Sequence, residues 1–320
     1  MAPLRQGIVD QIASGGKRLR AALAVLACEL FGEPPATALD FAAAIEHLQN
    51  ASLIHDDIAD GDRQRRNQIA TWAKHGIGHA VNIGDGFLPL VTLAIVEAPY
   101  AEAVKLQLFR LLAECGLEMV EGQALDLSFR AKRGVSLEEY FDCTAKKTGA
   151  LLSLATIGGA VIGGGGDEHL MLLREFARLA GVAFQIRDDL LDIEGTKGRQ
   201  PGSDVLEGKL TILAVHAGLN ANPRQRARLF AILAKPRAVK SSADLPGPSI
   251  CIGILGRRRT RAALATRSSR RRRSTSIACR TARQSTDYSD SAATSDLDAV
   301  NHRIHRRPVR SDQHSGRRPL

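Results

Sequence analysis

Two copies of one acidic pattern, Asp56-Asp57-Ile58-Ala59-Asp60 and Asp188-Asp189-Leu190-Leu191-Asp192, lie 132 residues apart in a chain of 320 residues. Each follows a helix-like apolar run, Ala51-Ser52-Leu53-Ile54-His55 in one case and Gly181-Val182-Ala183-Phe184-Gln185-Ile186 in the other. A helix turns once in about 3.6 residues, so positions i and i+4 are expected to set two carboxylates one turn apart on one face. Like charges at that spacing repel. The pattern therefore points to a hard divalent cation, and a pair of such clusters to an anionic ligand gripped through metal from both sides.

Four cationic segments accompany them: Gly15-Gly16-Lys17-Arg18-Leu19-Arg20, Asp62-Arg63-Gln64-Arg65-Arg66, Lys146-Lys147-Thr148-Gly149 and Gly202-Ser203-Asp204-Val205-Leu206-Glu207-Gly208-Lys209-Leu210-Thr211. Glycines leading into a helix start, with Lys and Arg beside them, suit a phosphate through backbone N–H groups and charged hydrogen bonds. Any one of these segments alone reads as a solvated basic face. Together with two carboxylate clusters they describe a pocket for magnesium and more than one phosphorylated ligand, because Mg²⁺ takes a few carboxylates and completes its shell with phosphate oxygens.

The elements that must position these residues read as helices from residue 18 to about 234. Apolar residues recur at three- and four-residue spacing, and no period-2 run rich in β-branched residues appears. The spacing predicts helices over 19–31, 35–57, 72–74 leading into 80–98, 101–127, 137–162, 167–192, 210–217 and 223–233. Breaks are expected at Gly32-Glu33-Pro34-Pro35, Gly163–Gly166 and Gly195–Gly202. The expected fold is all-α, one large helical bundle over residues 1–234.

Residues 235–320 differ. They hold 20 Lys and Arg against 6 Asp and no Glu, a net of +14, whereas residues 1–234 carry −4. The overall +10 therefore resides in the tail, and no nucleic-acid partner is expected for the body. An Arg/Ser-rich stretch without apolar periodicity is expected to be disordered. Three readings stand: a basic binding arm, a tail without set function, or the product of a shifted reading frame in GC-rich DNA. Five scattered cysteines without a CxxC pair fit a reducing compartment. The N-terminus lacks a signal-peptide apolar region, and no run approaches the ~18 apolar residues of a membrane span, so a cytoplasmic protein is expected.

The order GGKRLR, SLIHDDxxD, Arg65-Arg66, Gly84-Asp85, GQALDL (Gly122–Leu127), KTG, FQxRDDxLD and GSDxxEGKxT resembles the trans-isoprenyl diphosphate synthases, over residues 15 to about 234. The resemblance implies an all-helical, magnesium-dependent prenyltransferase, commonly a homodimer, which adds isopentenyl diphosphate to an allylic diphosphate. It implies that Asp56, Asp57 and Asp60, and Asp188, Asp189 and Asp192, serve Mg²⁺ on the allylic diphosphate, with Asp56, Asp60 and Asp188 as metal ligands. Lys17, Arg20, Gln49 and Arg66 match the isopentenyl diphosphate site. Arg65, Lys147, Thr148, Gln185 and Lys209 match the allylic site, with Arg199 where relatives often place Lys.

Ala51 and Ser52 stand where a bulky aromatic ends the product early in the family. Small residues there imply geranylgeranyl diphosphate, with longer polyprenyl products or an inactive frameshifted remnant as alternatives; Phe87 is a further residue that can close the tunnel. The chain departs from the family pattern in several places. Only 14 residues precede Gly15, Asn67 replaces a Gly, Ala21 replaces a Pro, and the register is lost by Leu245-Pro246-Gly247-Pro248.

Overall fold

Three- and four-residue apolar spacing yields helices over almost all of the described chain. The computed structural model describes residues 3–130, 132, 134–194, 202–235 and 239–240. The helices are α1 (Pro3–Ala13), α2 (Leu19–Leu30), α3 (Leu39–Asp60), α4 (Thr71–His75), α5 (Ile77–Glu97) and α6 (Glu102–Phe129), followed by α7 (Leu137–Thr144), α8 (Ala150–Ile162), α9 (Asp167–Glu194), α10 (Ser203–Leu206), α11 (Ile212–Asn220) and α12 (Pro223–Leu233). The all-α expectation holds. Arg199 lies outside the described residues, as do 236–238 and 241–320 of the tail, 235–320, that is expected to be disordered.

Local signals account for several boundaries. Ser136 and Glu139 form a reciprocal capping box at the start of α7, and Asn222 and Gln225 do the same for α12, where Pro223 occupies the first turn. Gly61 ends α3 in the left-handed region (φ 70°), just after Asp60. Both acidic motifs therefore lie at helix C-termini, and neither α3 nor α9 has a basic residue in its last turn. Carboxylates there face the negative end of the helix dipole. They need cations from other elements.

Four expectations require correction. The eleven residues Pro3–Ala13 form a helix ahead of the glycine loop. Helices are expected only from residue 18 on, whereas this one packs through Gly7 on Ile83 of α5. A two-residue ladder, β1 (Gln64–Arg65) with β2 (Gln68–Ile69), follows the first motif. Arg66 and Asn67 turn it with φ of 53° and 61°, the backbone of a two-residue hairpin, which Asn tolerates. The single helix expected over 137–162 is interrupted by a π turn, Ala145–Gly149. Finally, α5 is long and apolar enough to cross a membrane. Counting consecutive apolar residues missed it because Gly, Pro and Thr are interspersed. One of its faces is buried in the bundle through Ile83, Phe87, Val91 and Ile95.

The main core lies among α2, α3, α6 and α8, with Phe41, Ile45, Leu108, Leu154 and Ile157 almost wholly buried. A second cluster, Ala51, Ile54, Ala80, Ile83 and Phe87, underlies the first acidic motif. A third, including Phe129, Tyr140, Ile212 and Val215, surrounds the second. The π turn between α7 and α8 is wedged between α6 and α9 by two close backbone approaches. A Cβ on Gly122 would lie 2.3 Å from the backbone nitrogen of Lys147, and one on Gly181 would lie 2.5 Å from the Gly149 Cα. Only glycine admits such contact.

Gly181→Ala is expected to destabilise the protein by about 1–3 kcal/mol, since backbone rather than a flexible side chain must move. Gly116→Ala on α6, with nothing within 4 Å of the added Cβ, is expected to gain about 0.5–1 kcal/mol. Urea unfolding of the two variants checks both; equal stabilities would contradict the wedge.

Candidate active site

The end of α3, the π turn and the end of α9 meet at one cavity. Its walls include Asp56, Asp60, Arg65, Asp126, Tyr140, Lys147, Thr148, Gln185, Asp188, Asp189 and Lys209. The expectation that Asp56 and Asp60 share a face holds, since both line it. Lys147 is brought in by the π turn. It sits 2.8 Å from Asp126 and 3.7 Å from Asp56. Asp60 pairs with Lys209 at 2.6 Å and with Arg130, whose guanidinium also donates to the Ala59 carbonyl at 3.2 Å. Asp57 turns the other way and accepts from Arg65 Nε at 2.8 Å. Every carboxylate of the first motif is thus paired with a cation from another element.

These pairings shape the titration of the cluster. Burial would raise Asp60, but Lys209, Lys147 and Arg130 outweigh it and lower the carboxyl to about 2. Burial dominates at Asp57, which rises to about 6 against the pull of Arg65. Asp56 is also raised by burial, opposed chiefly by Lys147. Lys147 and Lys209 are pushed upward because their carboxylate partners overcome desolvation, so both remain ammonium ions.

The second motif is organised differently. Asp188 lines the cavity, as expected. Asp189 also borders it, yet both of its oxygens are engaged. Oδ1 accepts from Gln185 Nε2 at 2.9 Å, and Oδ2 accepts from the Tyr140 hydroxyl and the Ile212 backbone N–H, each at 2.8 Å. Asp192 is 2% exposed and does not line the cavity. It accepts from Ser203 Oγ at 2.8 Å and from the Asp204 N–H at 3.2 Å. The expectation that i and i+4 carboxylates project together therefore holds for Asp56 and Asp60 and not for Asp188 and Asp192. Ser203 and Asp204, at the start of α10, engage both oxygens of Asp192.

Arg20, Gln49 and Arg66 lie outside the cavity lining; Arg20 of α2 and Arg66 of the hairpin both feel Glu46 of α3, and Gln49 lies three residues beyond Glu46 on that helix. Arg66 donates to the Gly15 carbonyl and to Ser14 Oγ at 3.1 Å, which fastens the hairpin to the glycine loop. Burial lowers both Arg20 and Arg66, and Glu46 opposes this at each. The Gln49 Oε1 atom is buried without a hydrogen-bond partner among the described residues. Lys17 is exposed on the loop ahead of α2. Ala51 faces α5, packed with Ile54 and Phe87, and Ser52 donates to the Gln49 carbonyl at 2.9 Å.

Sequence reasoning gave no role to several residues that matter here. Asp62 and Glu207 bring carboxylate oxygens beside those of Asp60, all within 4.8 Å of one another. Glu207 is raised above the ordinary carboxylate range by burial and by a hydrogen bond shared with Asp62. Arg130 and Tyr140 belong to no motif, and only their positions on the folded chain reveal them. The donor set of buried carboxylate oxygens with ammonium and guanidinium groups around them fits magnesium rather than a soft metal.

Comparison with known proteins places the chain in a family. Residues 2–245 match the family description "Polyprenyl synthetase". A short chain isoprenyl diphosphate synthase of Methanothermobacter thermautotrophicus is 40% identical over 225 residues, 69% of this chain and 69% of that protein. A geranylgeranyl diphosphate synthase of Methanosarcina mazei is 37% identical, covering 64% of each. The chain thus spans about two thirds of the length of these curated relatives. Among solved structures, a geranylgeranyl pyrophosphate synthetase from Pyrococcus horikoshii superposes with a TM-score of 0.76 at 29% identity, covering 96% of this chain and 90% of that one.

Proposed function

The chain belongs to the polyprenyl synthetase family, the trans-isoprenyl diphosphate synthases, and from that premise we propose that it condenses isopentenyl diphosphate with an allylic diphosphate, with Mg²⁺, to give geranylgeranyl diphosphate. The observation that carries this reading is the cavity in which Asp56, Asp60 and Asp188 meet Arg65, Lys147 and Lys209. Asp56, Asp60 and Asp188 would hold magnesium, which when bound stabilises negative charge on the departing diphosphate. Lys147, Arg65 and Lys209 bind the same oxygens and favour departure by fixed positive charge. Thr148 donates to Gln185 Oε1 at 3.2 Å, and this pair forms a polar wall beside the position of the allylic carbon. Arg20, Gln49, Arg66 and Lys17 hold isopentenyl diphosphate on the α2 side. Its double bond attacks the allylic cation, and proton loss gives a trans product five carbons longer.

Asp189 and Asp192 act in this scheme by holding the segment that carries Lys209. The small side chains of Ala51 and Ser52 support a long prenyl product, and Phe87 belongs to the same buried cluster as Ala51. Longer products remain the second reading for chain length. A remnant without activity is the second reading for the chain, favoured by the end of the family match at residue 245 and the excess of basic residues beyond it.

Incubation with Mg²⁺, labelled isopentenyl diphosphate and allylic starters, followed by product sizing, is expected to give a C20 diphosphate. Asp56→Ala or Asp60→Ala is expected to lower kcat by about 100-fold or more, and Ala51→Phe to shorten the product. Failure to elongate any starter would favour the remnant.

We also propose a homodimer. α6 exposes Leu106, Leu117, Val120 and Leu127, and α5 exposes Ile77, Val81, Leu88 and Val96. On each helix these recur at helical spacing as an apolar face, which a monomer rarely leaves bare. Sedimentation is expected to give twice the chain mass, and Leu117→Glu with Val120→Glu to give the monomer; wild-type monomer would refute it.

A further inference from the structure

Tyr140, on α7, is 5% exposed, and its hydroxyl donates to a carboxylate inside the cavity wall. A buried phenol needs a partner, and a backbone carbonyl would serve a purely structural tyrosine. Here the partner is Asp189, which also takes the Ile212 N–H at the start of α11 on the same oxygen, Oδ2. That leaves Oδ1 for the Gln185 NH₂ at 2.9 Å. With its nitrogen so engaged, the Gln185 amide turns its carbonyl oxygen toward the Thr148 hydroxyl, 3.2 Å away. The links form one chain from α7 through α9 to the π turn, and Tyr140, Asp189, Gln185 and Thr148 all border the cavity. Each oxygen is assigned by the donor on the other. If the phenol is removed, Oδ2 keeps one donor and the carboxylate can rotate, freeing the Gln185 amide to flip.

We propose that Tyr140 is a positioning residue for elongation: through Asp189 it holds the Gln185 amide in one orientation, so that Gln185 and Thr148 present a fixed set of dipoles to the allylic end of the substrate. This rests on the reading of the cavity as a prenyl-elongating site. The hydroxyl serves orientation, whereas the ring serves packing, with Phe141 edge-on at 5.8 Å. Tyr140→Phe therefore separates the two, because it keeps the ring.

Tyr140→Phe is expected to lower kcat about tenfold, the equivalent of one lost hydrogen bond, and to leave both KM values within about twofold. Because Tyr140 acts through Gln185, the double variant Tyr140→Phe/Gln185→Ala is expected to be no slower than Gln185→Ala alone. The Gln185 side-chain amide hydrogens, followed by NMR, are expected to exchange faster in Tyr140→Phe. Wild-type kcat in Tyr140→Phe, multiplicative losses in the double variant, or a fall in kcat that tracks melting temperature with Gln185 exchange unchanged would each overturn the proposal. Should the wild-type protein elongate no starter, the reading of the reaction fails, and the exchange comparison alone decides whether Tyr140 holds Gln185.

Discussion

Carboxylates packed into the last turn of a helix are held there against the helix dipole, against one another and against burial. Asp57 and Asp60 occupy that position on α3 and Asp192 does on α9, with Asp56, Asp188 and Asp189 in the turn before. The remainder of the site follows from the need to neutralise them with groups from elsewhere. Lys147 arrives from the π turn, Arg65 from the hairpin, Arg130 from the end of α6 and Lys209 from the segment before α11. Each cation is itself buried or half-buried, so neither partner is well solvated alone. A cluster built this way binds an anion only by exchange. For diphosphate to engage Lys147 and Lys209, another cation must take their place beside Asp56 and Asp60.

Backbone contacts make this arrangement rigid. Gly122 and Gly181 let α6 and α9 close on the π turn so tightly that no side chain fits between, and the turn thereby points Lys147 and Thr148 at the cavity. A π turn offsets the side chains of a helix by part of a turn, and such turns recur at functional sites. On the opposite wall, Asp189 and Asp192 bind the segment after α9 through the Ile212 N–H, Ser203 and the Asp204 N–H. The first motif presents Asp56 and Asp60 to the cavity, and the second commits Asp189 and Asp192 to holding the fold.

Much of this was legible in the sequence. The helical period identifies an all-α bundle, and the resemblance to the trans-isoprenyl diphosphate synthases implies the shared site of Asp56, Asp60, Asp188, Lys147, Thr148, Gln185 and Lys209, which line one cavity. Several features were not legible, for definite reasons. Helical spacing puts Asp188 and Asp192 on one face, but a chain that folds back 11 residues later captures Asp192 through Ser203. The interruption at Ala145–Gly149 is five residues long with helix directly on either side, too short for a three- to four-residue period to register it. Arg130 lies in a basic surface-like run with Lys132 and Arg133, and only the proximity of the α6 end to the α3 end gives it Asp60 as a partner. Tyr140 resembles any core aromatic until its hydroxyl is traced.

The exchange of cations is the central claim, and a calorimetric titration tests it directly: inorganic diphosphate added to the protein with Mg²⁺ present, and again under a chelator. The account predicts that the magnesium complex binds at least about 100-fold more tightly, roughly 2.7 kcal/mol, because Lys147 and Lys209 are released only when the carboxylates gain a replacement partner. Equal affinity under the chelator would mean that those cations leave Asp56 and Asp60 without one, and would contradict it.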